Sequence, residues 1–336
     1  MRILLIIFTF LLSVTAPSFA ESPLTQRQDV KAFIQDMVKT HHFNQKEMQN
    51  LFDTVKIQQP IIDAMNRPYE KKPWDIYKQL FLTPERVQAG LTYWAENKAT
   101  LARAEKQYGV PANVIVAIIG VETLYGKHQG NYRVIDALST LAFDYPKRSA
   151  FFTKELKEYL LLCREHHVSP ALYLGSYAGA MGKPQFIPSS YRYYAVNFSG
   201  NPKKDLMHDD EAVIASVANY FHQHGWHLNE AVTQPANISG SRYKKIHTDY
   251  KTATYHPREL ARAGVKPATR SSERLPEHAG LIELTTQLGS EFWVTYPNFY
   301  VITRYNTSPQ YALVVYLLSQ QLNKQWASLA SNKYHG

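Results

Sequence analysis

The sequence is poor in cysteine, in long apolar runs and in acidic residues. Its one cysteine, Cys163, has no partner for an intramolecular disulfide, which excludes a small disulfide-stabilised scaffold. Cys163 ends the apolar run Tyr159–Cys163, where a buried and inert thiol is more typical than a nucleophile. After the first twenty residues no apolar run reaches the length that a membrane-spanning helix needs, so we expect that part of the chain to be soluble.

The first twenty residues have the pattern of an export signal. Arg2 supplies a positive start, residues 3–14 form an uncharged apolar run, and Ser18-Phe19-Ala20 places small residues where a signal peptidase cleaves. The run is too short for an ordinary transmembrane helix, although an uncleaved anchor stays open. We therefore predict a signal peptide at residues 1–20 and an exported protein.

Basic residues outnumber acidic ones, 37 to 28, and the formal net charge is +9. An exported basic protein is expected to associate with polyanions such as anionic lipid, nucleic acid or an acidic cell-wall polymer. The 23 tyrosines offer flat apolar rings with a hydroxyl, a combination suited to sugars. Composition by itself nevertheless favours tyrosines that simply pack between subdomains.

Most of the chain has the apolar spacing of amphipathic helices. The predicted helices lie within 22–54, at 44–55, 83–108, 110–122, 149–166, 211–222 and 309–329, with Thr83 as an N-cap and Gly109 as a stop. Residues 231–274 contain scattered proline and glycine and predict a small β-containing insert. The sequence thus predicts a mainly α protein of two or three packed subdomains.

Glu122 ends a nearly continuous apolar run in a helix that is predicted to be buried on all sides. A carboxyl group beside such a helix loses hydration, which disfavours its charged form and raises its pKa. A carboxylic acid that is protonated near neutral pH is what a glycosidase needs to protonate a leaving oxygen. A surface glutamate paired with Lys127 at a fraying helix end explains the position equally well.

The segment Gly175–Tyr191 is dense in small residues and carries polar groups at Ser176 and Gln185. Glycine-rich backbone permits close approach to a ligand, and a glutamine amide can hold a sugar hydroxyl or acetamide group. Taken alone, such a segment is more typical of a loop between helices. Its combination with Glu122 is what points to a site.

Five ordered blocks of the sequence resemble the membrane-bound lytic murein transglycosylase B family. These blocks are Val110–Gly126, Asp136–Pro146, Gly175–Tyr191, Ser216–Phe221 and Asn298–Ala312. One block would be only suggestive, whereas five in the same order make the resemblance highly specific. The resemblance covers essentially the whole chain after the predicted signal peptide.

The resemblance implies a lysozyme-like helical core, a second helical subdomain and a small β-containing insert. We place the core at residues 109–230, the helical subdomain at 21–108 with its completion at about 275–336, and the insert at 231–274. It also implies cleavage of the β-1,4 bond between N-acetylmuramic acid and N-acetylglucosamine of peptidoglycan. The product would be a 1,6-anhydromuramoyl end rather than a hydrolysed one.

By position in the matching blocks, the resemblance implies that Glu122 is the catalytic acid and base. The groove-lining residues that it implies are Ser176, Gln185, Tyr220, Tyr305, Asn306, Tyr311, Tyr77 and Arg148. One carboxyl group suffices because attack by the muramoyl 6-hydroxyl replaces the water or enzyme nucleophile of an ordinary glycosidase. Asp136 and Asp144 are further carboxyl groups, and a structural role is the better explanation for both.

The sequence departs from the family at the predicted cleavage site. Members are commonly lipoproteins with a cysteine there, whereas this chain has Ala20-Glu21. This favours a soluble form in the periplasm of a Gram-negative bacterium. We expect a monomer that binds peptidoglycan glycan strands, with proteins of cell-wall synthesis or remodelling as further candidate partners.

A second departure lies where some relatives carry an EF-hand-like calcium loop. The counterpart here offers Asn197, Ser199 and Asn201, where calcium prefers carboxylates, and Lys203 adds positive charge. We expect no required cofactor, with calcium as a weak alternative. The cluster His222–His227 has no carboxylate partner at a recognisable spacing, and we predict a structural role for it.

Three other functions stay open. They are a non-catalytic peptidoglycan-binding module, a lysozyme-type muramidase and a basic nucleic-acid binder. Retention of Glu122 and Gln185 argues against the first. The predicted export and the lack of a nucleic-acid-binding motif argue against the last, so no nucleic acid is expected as a partner.

Overall fold

The computed structural model of the protein describes residues 23–67, 72–247 and 250–332. The signal peptide predicted at residues 1–20 lies outside these ranges. The fourteen α-helices of the described ranges are α1 (Gln28–His41), α2 (Gln45–Asp53), α3 (Gln59–Met65), α4 (Trp74–Gln79), α5 (Pro84–Glu96), α6 (Lys98–Tyr108), α7 (Ala112–Thr123), α8 (Val134–Asp144), α9 (Ser149–Glu165), α10 (Pro188–Tyr194), α11 (Asp210–Gln223), α12 (Pro257–Arg262), α13 (Pro297–Tyr305) and α14 (Pro309–Asn332). The strands are β1 (Tyr132–Arg133), β2 (Leu174–Gly175), β3 (Thr233–Ile238), β4 (Val265–Pro267), β5 (Gly280–Thr286) and β6 (Gly289–Thr295). The prediction of a mainly α protein is confirmed.

The chain divides into two compact units, one ending at Val55 and one beginning at Lys56. In the first unit, Phe33 of α1 meets Phe52 of α2 edge to face, with ring centroids 5.6 Å apart. The side chain of Asn44 caps α2 by accepting a hydrogen bond from the backbone N–H of Glu47 at 3.0 Å. This division differs from the boundary predicted at residue 108, which falls inside the second unit.

The second unit is organised around α7. Residues 112–121 of this helix are buried without interruption, and α5, α6, α11 and α14 pack against it. A helix that is apolar all round requires neighbours on every side. Full burial of a side chain such as Ile115 or Ile118 contributes about 1.5–3 kcal/mol. The packing therefore fixes α7 as a rigid support for Glu122 near its C-terminal end.

The helix predicted from Thr83 to Tyr108 is divided into α5 and α6. Its predicted ends are confirmed, since Thr83 caps α5 and Gly109 adopts a left-handed φ of 70° after α6. Between them Asn97 leaves helical geometry at φ −109° and ψ 20°. Its side-chain amide donates a hydrogen bond to the Tyr93 carbonyl at 3.0 Å. Asparagine favours such side-chain hydrogen bonds to the backbone, which compete with those of the helix. The apolar spacing continues across Asn97 and therefore does not reveal the break.

Four strands form an antiparallel sheet in the order β4-β3-β6-β5. Val265, Leu281, Val294 and Tyr296 are among the buried residues that form its core with Leu260 of α12. The predicted insert at 231–274 contains β3 and β4 but misses β5 and β6. The boundary at residue 274 is therefore too early, because β6 pairs with β3 through contacts that are distant in sequence. None of the helices in the described ranges has the length and apolar character needed to cross a membrane.

Candidate active site

Glu122 is half-buried near the end of α7, and its Oε1 accepts a hydrogen bond from the hydroxyl of Tyr311. Tyr311 lies in the first turn of α14, the helix that packs most extensively along α7. Burial raises the pKa of Tyr311 well above its ordinary value, and the negative charge of Glu122 acts in the same direction. The phenol therefore stays protonated and serves as a donor to Glu122.

The backbone leaves α7 through a left-handed turn directly after Glu122. Leu124, Tyr125 and Gly126 have φ values of 50°, 59° and 92°. This region is costly for a residue with a Cβ, so surrounding contacts must hold it. Arg86 of α5 provides one such contact, since its Nε donates to the carbonyl of Gly120 at 3.0 Å. A cation at this end of a helix is also favoured by the helix dipole.

Tyr125 occupies a slot between α5 and α7. A Cβ at Gly90 would lie 2.3 Å from the Tyr125 hydroxyl oxygen, and a Cβ at Gly120 would lie 2.4 Å from it. Both positions therefore need glycine to admit the ring. The ring also stacks on Tyr93 of α5, with centroids 5.3 Å apart. Tyr125 thus packs the turn after Glu122 against the neighbouring helix.

Thr123 joins the end of α7 to the glycine-rich segment. Its buried hydroxyl donates to the carbonyl of Lys183 at 2.8 Å and accepts from the backbone N–H of Gly126 at 2.9 Å. Nζ of Lys183 forms an ion pair with Asp210 at 2.8 Å, which anchors the same segment to α11. These contacts hold the residues around Lys183 beside Glu122.

Glycines of the Gly175–Tyr191 segment are required by close packing within the segment and against other parts of the protein. A Cβ at Gly175 would lie 2.3 Å from the carbonyl oxygen of Ala180. One at Gly182, where φ is 72°, would lie 2.4 Å from the carbonyl oxygen of Leu206. The close approach that the glycine content indicates is thus made by protein backbone. Amino-acid composition alone cannot distinguish close approach of protein backbone from close approach of a ligand.

Ser176 and Gln185 use part of their hydrogen-bonding capacity inside the protein. The Ser176 hydroxyl accepts from two backbone N–H groups of its own loop at 3.2 and 3.1 Å. Nε2 of Gln185 donates to the carbonyls of Gln129 at 3.1 Å and Gly182 at 2.9 Å. With both amide hydrogens engaged, the orientation of Gln185 is fixed and its oxygen is the group that can accept from a ligand.

Tyr305 and Tyr220 form an aromatic cluster next to Glu122. Their ring centroids are 4.9 Å apart. The hydroxyl of Tyr305 donates to the carbonyl of Pro184, and that of Tyr220 to the carbonyl of Arg304, each at 2.6 Å. Burial raises the pKa of Tyr305 well above its ordinary value. The negative charge of Glu122 raises it further. This electrostatic effect places Tyr305 in the surroundings of the carboxylate.

Three other predicted groove residues lie at the edges of this cluster. Tyr77 is buried and, through its phenol, contributes to the raised pKa of Tyr311. Asn306 and Arg148 line a cleft of about 790 Å³ together with the N-terminal residues of α14. The guanidinium of Arg148 lies 4.3 Å from the ring centroid of Phe151. The fold thus brings Glu122, Tyr77, Tyr305 and Tyr311 together and leaves Arg148 and Asn306 in the adjoining cleft.

The sequence does not predict which residues hold the end of α7 in place around Glu122. They are Arg86, Thr123, Tyr125 and Lys183. Thr123 and Tyr125 are neighbours of Glu122 in the chain, and the pair Tyr125-Gly126 after a buried helix is the one local signal that points to a constrained turn. Arg86 and Lys183 come into contact with this turn only through folding.

Two residues without an assigned catalytic role behave as predicted. Asp136 is buried, and its carboxylate accepts from the backbone N–H of Lys56 at 3.1 Å and pairs with Arg133 at 3.5 Å. Cys163 is buried, and burial raises the pKa of its thiol to about 12. A thiol that stays protonated is a poor nucleophile, so Cys163 is inert.

The loop at Asn197, Ser199 and Asn201 is closed by its own hydrogen bonds. Asn197 accepts from the N–H of Gly200 at 2.9 Å, and Asn201 from that of Lys203 at 2.9 Å. The Ser199 hydroxyl accepts from the N–H of Asn201 at 3.3 Å. In the part of the chain that the structure describes, no group of three or more His, Cys, Asp or Glu residues could hold a metal ion. Each of the side-chain oxygens of Asn197, Ser199 and Asn201 thus already accepts a hydrogen bond from a backbone N–H group of the loop.

The histidines near the end of α11 bind backbone carbonyls. Nδ1 of His222 lies 3.0 Å from the carbonyl oxygen of Tyr108, and Nδ1 of His224 lies 2.7 Å from that of Tyr220. A carbonyl oxygen only accepts, so each Nδ1 carries the hydrogen. These contacts agree with the structural role predicted for the cluster.

The chain is similar over most of its length to enzymes of known function. The family described as Transglycosylase SLT domain matches residues 25–320. Membrane-bound lytic murein transglycosylase B of Escherichia coli (strain K12) is 38% identical over 312 residues, which cover 90% of this chain and 83% of that protein. The crystal structure of soluble lytic transglycosylase SltB1 from Pseudomonas aeruginosa has a TM-score of 0.81 and 43% identity, covering 88% of this chain and 99% of that one.

A third relative, SltB3 from Pseudomonas aeruginosa, was solved in complex with NAG-NAM-pentapeptide. It has a TM-score of 0.75 and 29% identity, covering 88% of this chain and 79% of that one. The matched range contains Glu122 and every predicted groove residue. The mainly helical, lysozyme-like fold and the extent of these matches lead to one conclusion: the chain belongs to the transglycosylase SLT domain family of lytic transglycosylases.

Proposed function

We propose that this lytic transglycosylase cleaves the β-1,4 bond between N-acetylmuramic acid and N-acetylglucosamine in peptidoglycan, with Glu122 as both acid and base. The observation that carries the proposal is the hydrogen bond from Tyr311 to Oε1 of Glu122. This hydrogen bond orients the carboxyl group whose proton the reaction transfers. The buried residues of α7 before Glu122 hold the carboxyl group on a rigid support.

The reaction runs in two proton transfers. Glu122 donates its proton to the oxygen that leaves with N-acetylglucosamine, and the bond from this oxygen to C1 of the muramoyl ring breaks. The acetamido oxygen of the same ring stabilises the positive charge at C1, as in substrate-assisted glycosidases. The Glu122 carboxylate then takes the proton of the muramoyl 6-hydroxyl while its oxygen bonds to C1. The products are a 1,6-anhydro end and a protonated Glu122, and no water is consumed.

The surroundings of Glu122 favour this reaction over hydrolysis. Inverting and retaining glycosidases place a second carboxylate roughly 5–9.5 Å from the acid. The neighbours of Glu122 that the structure describes include the phenols of Tyr311 and Tyr305. Asp136, a buried carboxyl group of the matching blocks, accepts a hydrogen bond from the backbone N–H of Lys56. An intramolecular nucleophile, the 6-hydroxyl, fits a site with one carboxyl group.

We further propose that the enzyme is exported to the periplasm of a Gram-negative bacterium and acts on peptidoglycan glycan strands. The signal-peptide pattern of residues 1–20 and the murein substrate of the relatives support this. The peptidoglycan fragment bound by SltB3 supports the same substrate class by similarity. Proteins of cell-wall synthesis or remodelling stay candidate partners.

Digestion of purified murein tests the proposal. The wild-type protein and Glu122→Gln are compared by mass spectrometry of the muropeptides, with anhydro ends expected from the wild type alone. Glu85→Gln is the matched control, since the side chain of Glu85 is 71% exposed on α5. Reducing ends would assign a lysozyme-type muramidase instead, and no release by the wild type would leave a binding module.

A further inference from the structure

A line of tyrosine rings runs outward from the active site. Tyr305 contacts Tyr220 with centroids 4.9 Å apart, Tyr220 contacts Tyr194 at 4.8 Å, and Tyr194 contacts Tyr193 at 4.8 Å. All three contacts are edge to face, a favourable arrangement for aromatic pairs. The inner ring, Tyr305, responds to the charge of Glu122. The outer ring, Tyr193, is 77% exposed.

Tyr193 is presented by a rigid support. It lies near the end of α10, and its neighbour Arg192 pairs with Glu158 and, at 2.6 Å, with Glu165 of α9. Tyr194 packs behind it and fixes the ring from the other side. A single exposed apolar side chain needs no explanation in general. Tyr193 is not isolated, because it lines a cleft together with Tyr194 and Tyr220.

The cleft beside Tyr193 has a volume of about 640 Å³. Its lining combines aromatic rings, hydroxyl groups and charged side chains: Tyr193, Tyr194, Tyr220, His224, Ser189, Ser190, Lys154, Glu158 and Arg192. The cleft therefore follows three of the four rings in this line, Tyr193, Tyr194 and Tyr220. The cleft is connected to the cluster around Glu122 through Tyr220, which belongs to both.

The lining of this cleft fits an uncharged, hydroxylated ligand. The charge of Arg192 is compensated by Glu158 and Glu165. Burial lowers the pKa of His224, so its ring is neutral at pH 7. Rings that offer flat faces next to hydroxyl groups suit a pyranose, which has an apolar face and polar edges. Lys154 is the other cation of the lining, so two cations face the two carboxylates of Glu158 and Glu165, and a strongly anionic or cationic ligand would find little net charge to bind.

We propose that Tyr193, Tyr194 and this cleft form an outer binding platform for sugar residues of the same glycan strand that Glu122 cleaves. The inference rests on the proposed function, since it takes the strand as the ligand. Three ring-to-ring steps of just under 5 Å separate Tyr193 from Tyr305. The platform lies outward from Tyr305 along this path, so we expect it to contact long strands more than short ones.

A contact so far from the reacting atoms binds the ground state and the transition state equally. It therefore lowers KM for long strands and leaves kcat unchanged. Loss of one aromatic contact is expected to weaken binding about three- to tenfold.

The test compares Tyr193→Ser with wild type on two substrates, long glycan strands and a tetrasaccharide of two GlcNAc-MurNAc units. With long strands KM is expected to rise about three- to tenfold at constant kcat, a change that the tetrasaccharide does not show. Tyr193→Phe retains the ring and is expected to restore most of the affinity. Leu329→Ser is the control, an exposed apolar residue near the far end of α14, about 27 Å along the helix from Tyr311. An unchanged KM for long strands, or an equal rise with both substrates, would overturn the proposal.

Binding measured without catalysis separates this proposal from the proposed function. Calorimetry of long strands with Glu122→Gln and with the double variant Glu122→Gln/Tyr193→Ser is expected to give a higher Kd for the double variant. If the wild type released no product while this difference persisted, the proposed function would fail and the platform would stand. Equal Kd values for the two variants would overturn the platform whatever the activity.

Discussion

The hydroxyl of Tyr311 donates a hydrogen bond to Oε1 of Glu122, although the two residues are 189 positions apart in the chain. α7 brings Glu122 to the site on a helix that is buried by its neighbours, and α14 lays its first turn against the end of α7. The carboxyl group is therefore oriented by a helix from the other end of the chain. The rigid support of the carboxyl group is thus α7, whereas the group that orients it is the Tyr311 hydroxyl of α14.

Tyr311→Phe removes this donor and keeps the ring. We expect kcat to fall about tenfold to a hundredfold, because a hydrogen bond to a charged group contributes about 1.5–3 kcal/mol. The measurement is the release rate of anhydro-muropeptides. Tyr296→Phe is the matched control, since its buried hydroxyl binds Gln234 in the sheet at 2.7 Å. A Tyr311→Phe enzyme with wild-type kcat would contradict the assigned role.

Thr123→Val tests the link between Glu122 and the glycine-rich segment. The substitution keeps the shape but leaves the Lys183 carbonyl without its donor, at a cost of about 1–3 kcal/mol in the free energy of unfolding. We expect kcat to fall with it, because the segment that carries Gln185 loses its connection to α7. Thr123→Ser, which retains the hydroxyl, is expected to restore both quantities. Denaturant titration and initial rates measure the two effects, and a Ser variant as impaired as the Val variant would refute the link.

Gly120→Ala tests the slot that holds Tyr125. The new Cβ would lie 2.4 Å from the hydroxyl oxygen and 2.7 Å from the carbon that bears it. We expect a loss of about 1–3 kcal/mol in the free energy of unfolding and a lower kcat, since the turn after Glu122 must shift.

Tyr125→Phe, in contrast to Gly120→Ala, is expected to increase the free energy of unfolding. The Tyr125 hydroxyl is buried with no hydrogen-bond partner among the described residues, and such a group costs about 1–3 kcal/mol. Its removal is expected to raise the denaturation midpoint and to relieve part of the Gly120→Ala defect in the double variant. A lower midpoint for Tyr125→Phe would show that the hydroxyl is satisfied after all.

Mild acid is expected to destabilise the protein through His224. Burial lowers the pKa of this ring below its ordinary value of 6.5, with the charge of Arg304 acting in the same direction and the Tyr220 carbonyl against it. The unfolded chain therefore binds this proton more readily than the folded one. The contribution of the neutral His224 ring to the free energy of unfolding is fully present above about pH 6.5. It is lost as the pH falls from there through the pKa of His224 in the folded protein. Urea midpoints measured at about pH 7.5 and 5.5 should differ less in His224→Gln than in wild type, whereas the exposed His128→Gln should match wild type.

Much of the local structure follows from signals within one helical turn. Thr83 and Gly109 mark helix ends because a cap or a left-handed residue acts on its immediate neighbours. The apolar run before Glu122 marks a buried helix for the same reason. The ordered blocks then indicate the family, the single carboxyl group and the tyrosines around it. These features are properties of short stretches, so the sequence by itself determines the helix ends and the family and predicts the site residues.

The remaining features depend on contacts between distant parts of the chain. The pairing of β6 with β3, the slot at Gly90 and Gly120 and the approach of Tyr311 to Glu122 join residues 30 to 189 positions apart. No window of sequence contains both partners, and several partner pairs would satisfy the same local pattern. Only the packing around α7 selects among them, because a buried helix admits one set of neighbours. The sequence thus predicts Glu122 as the catalytic carboxyl group, whereas the tertiary structure decides how this carboxyl group is oriented.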